Sequence, residues 1–154
     1  MTDTATPVAL ARTALYAGLL AGALDIAAAI LTNLQVPARA VLQSVASGLL
    51  GAEAYRGGWP AAGLGLAAHF AIMLVIAVVF VAAAARAPAL RRHWLPAGAL
   101  FGVAVWAVMA FVVVPLSASP ISGPVDPIAA LKPIAIHILC VGLPIAWVTR
   151  RRLG

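Results

Sequence analysis

The sequence predicts an all-α membrane protein, with four transmembrane helices in a bundle plus one short interfacial amphipathic helix. Three observations carry this. Hydrophobic residues make up 64% of the chain and charged residues 9%, and the mean hydropathy is +1.08, whereas soluble domains carry about 25% charged residues. So few polar groups cannot cover a globule, and most of the surface must face lipid. Four apolar runs are each long enough to cross roughly 30 Å of hydrocarbon at 1.5 Å per residue. Finally, nine of the ten basic residues are arginines, and they stand at the ends of apolar runs. Residues 1–154 read as a single membrane domain.

The first span is expected over about 14–34, entered past Arg12 and Tyr16. A signal peptide is the competing reading of such a start, but the run is too long for an ordinary apolar core, and Asp25 and Asn33 interrupt it. Gly18, Gly22, Asp25 and Ala29 share one face, and Gly18-x-x-x-Gly22 allows close approach of another helix. Over about 37–51 the character changes. Pro37 suits a first helical turn, Leu42, Val45 and Leu49 share a face, and about fifteen residues cannot span. This is the interfacial helix, lying on the membrane or folding partly over the bundle, with Tyr55 and Trp59 at the interface.

The second span, about 60–85, has one strongly polar member, His69, and stops at Arg86. A short basic connection through Arg91 and Arg92 leads to the third span, about 97–114. There Gly98, Gly102, Trp106 and Met109 line a face, and Pro115 ends the run. A loop with Pro120, Pro124, Pro127, Ser117, Ser119, Ser122 and Asp126 reads as irregular and extramembrane. The fourth span, about 133–149, starts near Pro133 and closes on Arg150, Arg151 and Arg152.

Seven arginines, at 12, 86, 91, 92, 150, 151 and 152, fall at one end, against Arg39, Arg56 and Lys132 at the other. Basic segments are retained in the cytoplasm, so both termini are expected there. Counted from the outer ends, Asp25 lies about 13 Å deep, His69 about 12 Å and His137 about 7 Å. Three ionisable groups from three helices at similar depth suggest a polar pocket, with Trp106 as a fourth candidate binding residue.

The candidate chemistry stays open at this point. Ionisable groups inside spans often move protons or hold polar solutes, and Asp25, His69 and His137 suit either. His69 and His137, with Cys140 as a weaker donor, are alternatively ligands for a haem or metal ion, although nothing in the sequence requires a cofactor. The structural reading is that these groups hydrogen-bond across helices and fix the packing. No Ser-His-Asp order or Gly-x-Ser-x-Gly elbow is present, so no catalytic residues are assigned. The net charge of +6 forms no basic face interleaved with aromatics, which argues against nucleic acid. The expected partners are the bilayer itself and a second copy or another membrane protein, through the Gly18/Gly22 and Gly98/Gly102 faces.

The segments GlyLeuLeuAlaGlyAlaLeuAspIle (18–26), AlaHisPheAlaIleMetLeuValIleAlaValValPhe (68–80), GlyValAlaValTrpAlaValMetAlaPheValValValProLeuSer (102–117) and the His137 block resemble the YagU-like family of small bacterial inner-membrane proteins. The resemblance covers most of the membrane part. It implies an integral inner-membrane protein and, through one branch of the family, an association with acid resistance. It implies no catalytic residues.

Overall fold

Prolines decide where several of these helices begin, because a first-turn residue needs no N–H for the helix ladder. The computed structural model describes residues 6–121 and 126–154. Ser122 and Pro124 of the proline-rich connection lie outside the described residues, as does the segment 1–5.

Helix α1 (Pro7–Leu31) starts on Pro7, with the Thr6 hydroxyl accepting from the Ala9 N–H at 3.3 Å. Helix α2 (Ala38–Leu50) runs into a 3₁₀ turn at Gly51–Tyr55. Helix α3 (Gly58–Arg86) is followed by the short α4 (Pro88–Arg92). Helices α5 (Trp94–Leu116) and α6 (Pro127–Leu153) complete the chain. Helices α1, α3, α5 and α6 are each long and apolar enough to cross a membrane, and no strand occurs among the described residues.

Helix α6 begins six residues before the expected Pro133, because Asp126 caps it by accepting from Ile128 N–H at 2.9 Å and Pro127 fills its first position. Pro133 is therefore inside the helix. At 1.5 Å per residue, His137 sits about 15 Å from the helix start rather than about 7 Å.

Two stretches widen into π-helix: Met109–Val113 in α5 and His137–Gly142 in α6. Each is followed two residues later by a proline, Pro115 or Pro144. A proline cannot donate to the carbonyl four residues back, and its ring crowds that carbonyl. A wider turn just before it relieves the crowding, and such bulges recur at functional sites.

Helix α1 packs against α3 on one side and α6 on the other, and α6 in turn packs against α5. The glycine faces are used within these pairs. A Cβ on Gly18 would meet Leu74, and one on Gly22 would press on the Phe70 ring. The α5–α6 crossing is tighter still: Gly98 and Gly102 lie against Gly142, Leu143, Ile138 and the His137 backbone, with no room for a side chain on either helix. These two faces are thus occupied by the chain's own helices. The core between the helices is rich in small residues, including Ala14, Ala17, Ala21, Ala77 and Ala146, with Ile145, Val141 and Phe80 filling the rest.

Helices α3 and α5 stay apart. An apolar cleft of about 520 Å³ separates them, lined by Ile72, Val75, Val79, Val105 and Val108 among others. The Phe80 and Phe101 rings, 4.9 Å between centroids, bridge it toward the arginine end. At the other end α2 reaches from one wall to the other. Its Gly48 carbonyl accepts from Ala118 N–H at 3.0 Å, the Ser47 and Ser119 hydroxyls bond at 3.0 Å, and Leu42 and Ala46 press on Gly65 of α3.

The inner face of α2 is not a stripe of bulky apolar residues. Gln43, Ala46 and Ser47 are buried, while Leu49 and Leu50 are exposed. The reason is the solvent: lipid exerts no hydrophobic force toward the protein, so small residues that allow close approach take the interface and leucines turn outward. Gln43 secures the position by donating to the Tyr55 and Gly58 carbonyls at 3.4 and 3.2 Å.

Candidate functional site

Three helices place ionisable side chains on the inside of the bundle. Gly22 of α1 lacks a side chain where α3 approaches, which leaves room for Phe70 and brings the Gly22 carbonyl 2.9 Å from His69 Nε2. His69 is 7% exposed. A carbonyl can only accept, so Nε2 of His69 carries a proton and, in the neutral ring, Nδ1 keeps its lone pair.

His137 opens the π stretch of α6, and its Nδ1 lies 2.8 Å from the Pro133 carbonyl. Here Nδ1 carries the proton and Nε2 keeps the lone pair. The two imidazoles are therefore held in opposite tautomers. Each is anchored to backbone by one nitrogen, with the other nitrogen left to accept a proton.

Asp25 is half-buried on α1, three residues from Gly22. Its carboxyl is within electrostatic reach of His137 and His69, and of Cys140 one turn along the π stretch. Asp25, His69 and His137 thus stand on three helices, α1, α3 and α6, of which α1 packs against the other two. The hydrogen bonds of both rings go to backbone carbonyls and not to the carboxylate. Trp106 is engaged elsewhere: its ring meets Phe111 of its own helix edge-on, 5.5 Å between centroids. Cys140 is a free, partly buried thiol.

Among the described residues, no group of three or more His, Cys, Asp or Glu is arranged to hold a metal ion. One nitrogen of each histidine is also committed to a carbonyl, which leaves a single donor per ring for any ligand.

The backbone partners of the two rings are not visible as polar residues in the sequence. The Pro133-to-His137 spacing of four does carry a signal, because a side chain in a helix reaches the carbonyl one turn back. Gly22 beside His69 has no such local signal, being set by the α1–α3 packing. Lys132 is likewise explained only by the fold. Its Nζ donates to the Thr32 carbonyl at 2.7 Å and to Asn33 Oδ1 at 3.2 Å, closing the C-terminus of α1, where a cation suits the helix dipole.

No family model, no curated protein and no solved structure gives a match to this chain.

Proposed function

We propose that this is a small polytopic protein of the bacterial inner membrane, with both termini cytoplasmic, whose Asp25–His69–His137 cluster handles protons or a small polar solute. The observation that supports it most is the opposite anchoring of the two imidazoles beside a carboxylate. Each ring can take up a proton at its open nitrogen without giving up the bond that holds it. Histidine is the side chain whose ordinary titration lies near neutral pH, and Asp25 offers a compensating negative charge. One branch of the YagU-like family, which the sequence resembles, is associated with acid resistance, and that agrees with such a role. The arginine distribution supports the orientation.

The experiment is proton uptake into vesicles containing the full-length protein and an internal pH dye, after an external acid jump. Wild type is expected to acidify the lumen faster than empty vesicles, and Asp25→Asn and His137→Ala are expected to slow it at least tenfold while still melting cooperatively. Wild-type flux equal to that of empty vesicles removes the proton reading. Flux that survives both substitutions removes the cluster from it.

A further inference from the structure

The arginine end carries a second feature, independent of the polar cluster, along the seam between α1 and α6. Beside the first turns of α1, a hollow of about 440 Å³ is lined by Thr6, Thr13, Arg12 and Arg152. Arg152 is held in place by its own packing, with its guanidinium carbon 4.2 Å from the centre of the Tyr16 ring. Its neighbours stack similarly, Arg151 on Trp147 at 5.6 Å and Arg150 on Trp94 at 5.7 Å. A guanidinium stacked on a ring keeps its in-plane N–H edge free for an oxyanion. Among the described residues no carboxylate pairs with these arginines, since the ion pair present, Arg56–Glu53 at 3.0 Å, is at the opposite end.

Further along the same seam lies a groove of about 290 Å³, lined by Leu20 and Leu24 of α1, Leu139, Leu143 and Trp147 of α6, and Trp94. Ala9, Arg12, Tyr16, Leu20 and Leu24 descend one flank of α1 at three- and four-residue spacing. The order along that flank is cation, interfacial aromatic, then apolar groove. From Arg12 to Leu24 is about 18 Å of helix, close to the depth of one leaflet of a ~30 Å hydrocarbon core.

We propose that the α1–α6 seam binds one anionic phospholipid, its phosphate between Arg12 and Arg152 and its chains in the leucine-lined groove. Charge complementarity selects the headgroup, and the groove selects a lipid over a free anion. Basic pockets between membrane helices hold acidic headgroups in this way.

The test uses full-length protein purified in detergent, with phosphatidylglycerol or phosphatidylcholine added at equal concentration. Bound lipid is read by native mass spectrometry and protection by the melting temperature. Phosphatidylglycerol is expected to be retained over phosphatidylcholine and to raise the melting temperature, while millimolar inorganic phosphate leaves it unchanged. Arg12→Gln with Arg152→Gln is expected to weaken phosphatidylglycerol retention about fivefold per arginine. Both side chains are exposed, so folding is preserved, and Arg39→Gln with Arg56→Gln supplies the same charge change at the other end with retention intact. Equal retention of the two lipids overturns the proposal, as does equal loss in the two double variants. Protection by phosphate alone would assign the hollow to an adventitious ion only.

Discussion

Glycine is the residue on which this packing turns, and the glycines differ in what stands against them. A Cβ at Gly142 would overlap the Gly98 carbonyl and come within 2.6 Å of Gly102 N and 2.9 Å of its Cα. All three are backbone atoms, which cannot swing aside. Gly142→Ala is therefore expected to destabilise the protein by about 1–3 kcal/mol or more, read as a lowered unfolding midpoint in mixed detergent. Gly63 has nothing within 4 Å of the same position, and Gly63→Ala should be neutral or stabilising by up to about 1 kcal/mol through helix propensity. A protein in which the two substitutions act alike would not contain this crossing. The spacing Gly98-x-x-x-Gly102 announced close approach, but not to which helix. Gly142 with Ala146 four residues on is a small-residue pair as well, but which helix lies across it appears only when α5 is laid over it. Asp25, His69 and His137 were legible as costly groups in apolar runs. The carbonyl that fixes His69 was not, because every helix residue has one and only the packing selects Gly22, whereas the Pro133 carbonyl lies one turn before His137 in the sequence itself.

At the scale of elements, periodicity and composition sufficed for the existence of the helices, since runs this apolar have one stable form in lipid. They were less informative about ends and faces. The true start of α6 was signalled by Asp126-Pro127, a cap followed by a first-turn proline, yet the surrounding prolines and serines also read as loop. The α2 segment was expected as an interfacial amphipathic helix, lying on the membrane or folding partly over the bundle; which residues would meet its neighbours was not legible, and small and polar ones, Gln43, Ala46 and Ser47, take that face. Gln43 then becomes the residue that holds α2, the 3₁₀ turn and the start of α3 together. Gln43→Leu should remove both bonds at a cost of about 1–3 kcal/mol from the unsatisfied carbonyls. The effect should stay local, as faster amide exchange over residues 51–58 with the α5–α6 crossing still protected. Uniformly faster exchange across all four long helices would show that α2 supports the whole bundle instead.

On the scale of the whole molecule, the arginine stacks gather at one end the groups that decide orientation. Arg91 adds a tie there, its Nη1 donating to the Leu153 carbonyl at 2.6 Å. With Cys140→Ala as background, Arg92→Cys is expected to react with an impermeant maleimide only after the cytoplasmic face is opened, and Gln35→Cys to react in intact cells. The reverse pattern would invert the proposed topology while leaving the fold as described.

The contact between α1 and α6 also has a meaning in time. Lys132 and Thr32, which meet at one end of this pair, are 100 residues apart in the chain, and Tyr16 and Arg152 at the other end are farther apart still. Chains emerge N-terminus first and form near contacts before distant ones. The α1–α3 hairpin can settle early, while the outer flank of α1 stays bare until α6 arrives. Asp25 thus enters the membrane well before either histidine and His137 last of the three, so the polar cluster is completed only as the seam closes, and maturation of the site coincides with the final step of assembly.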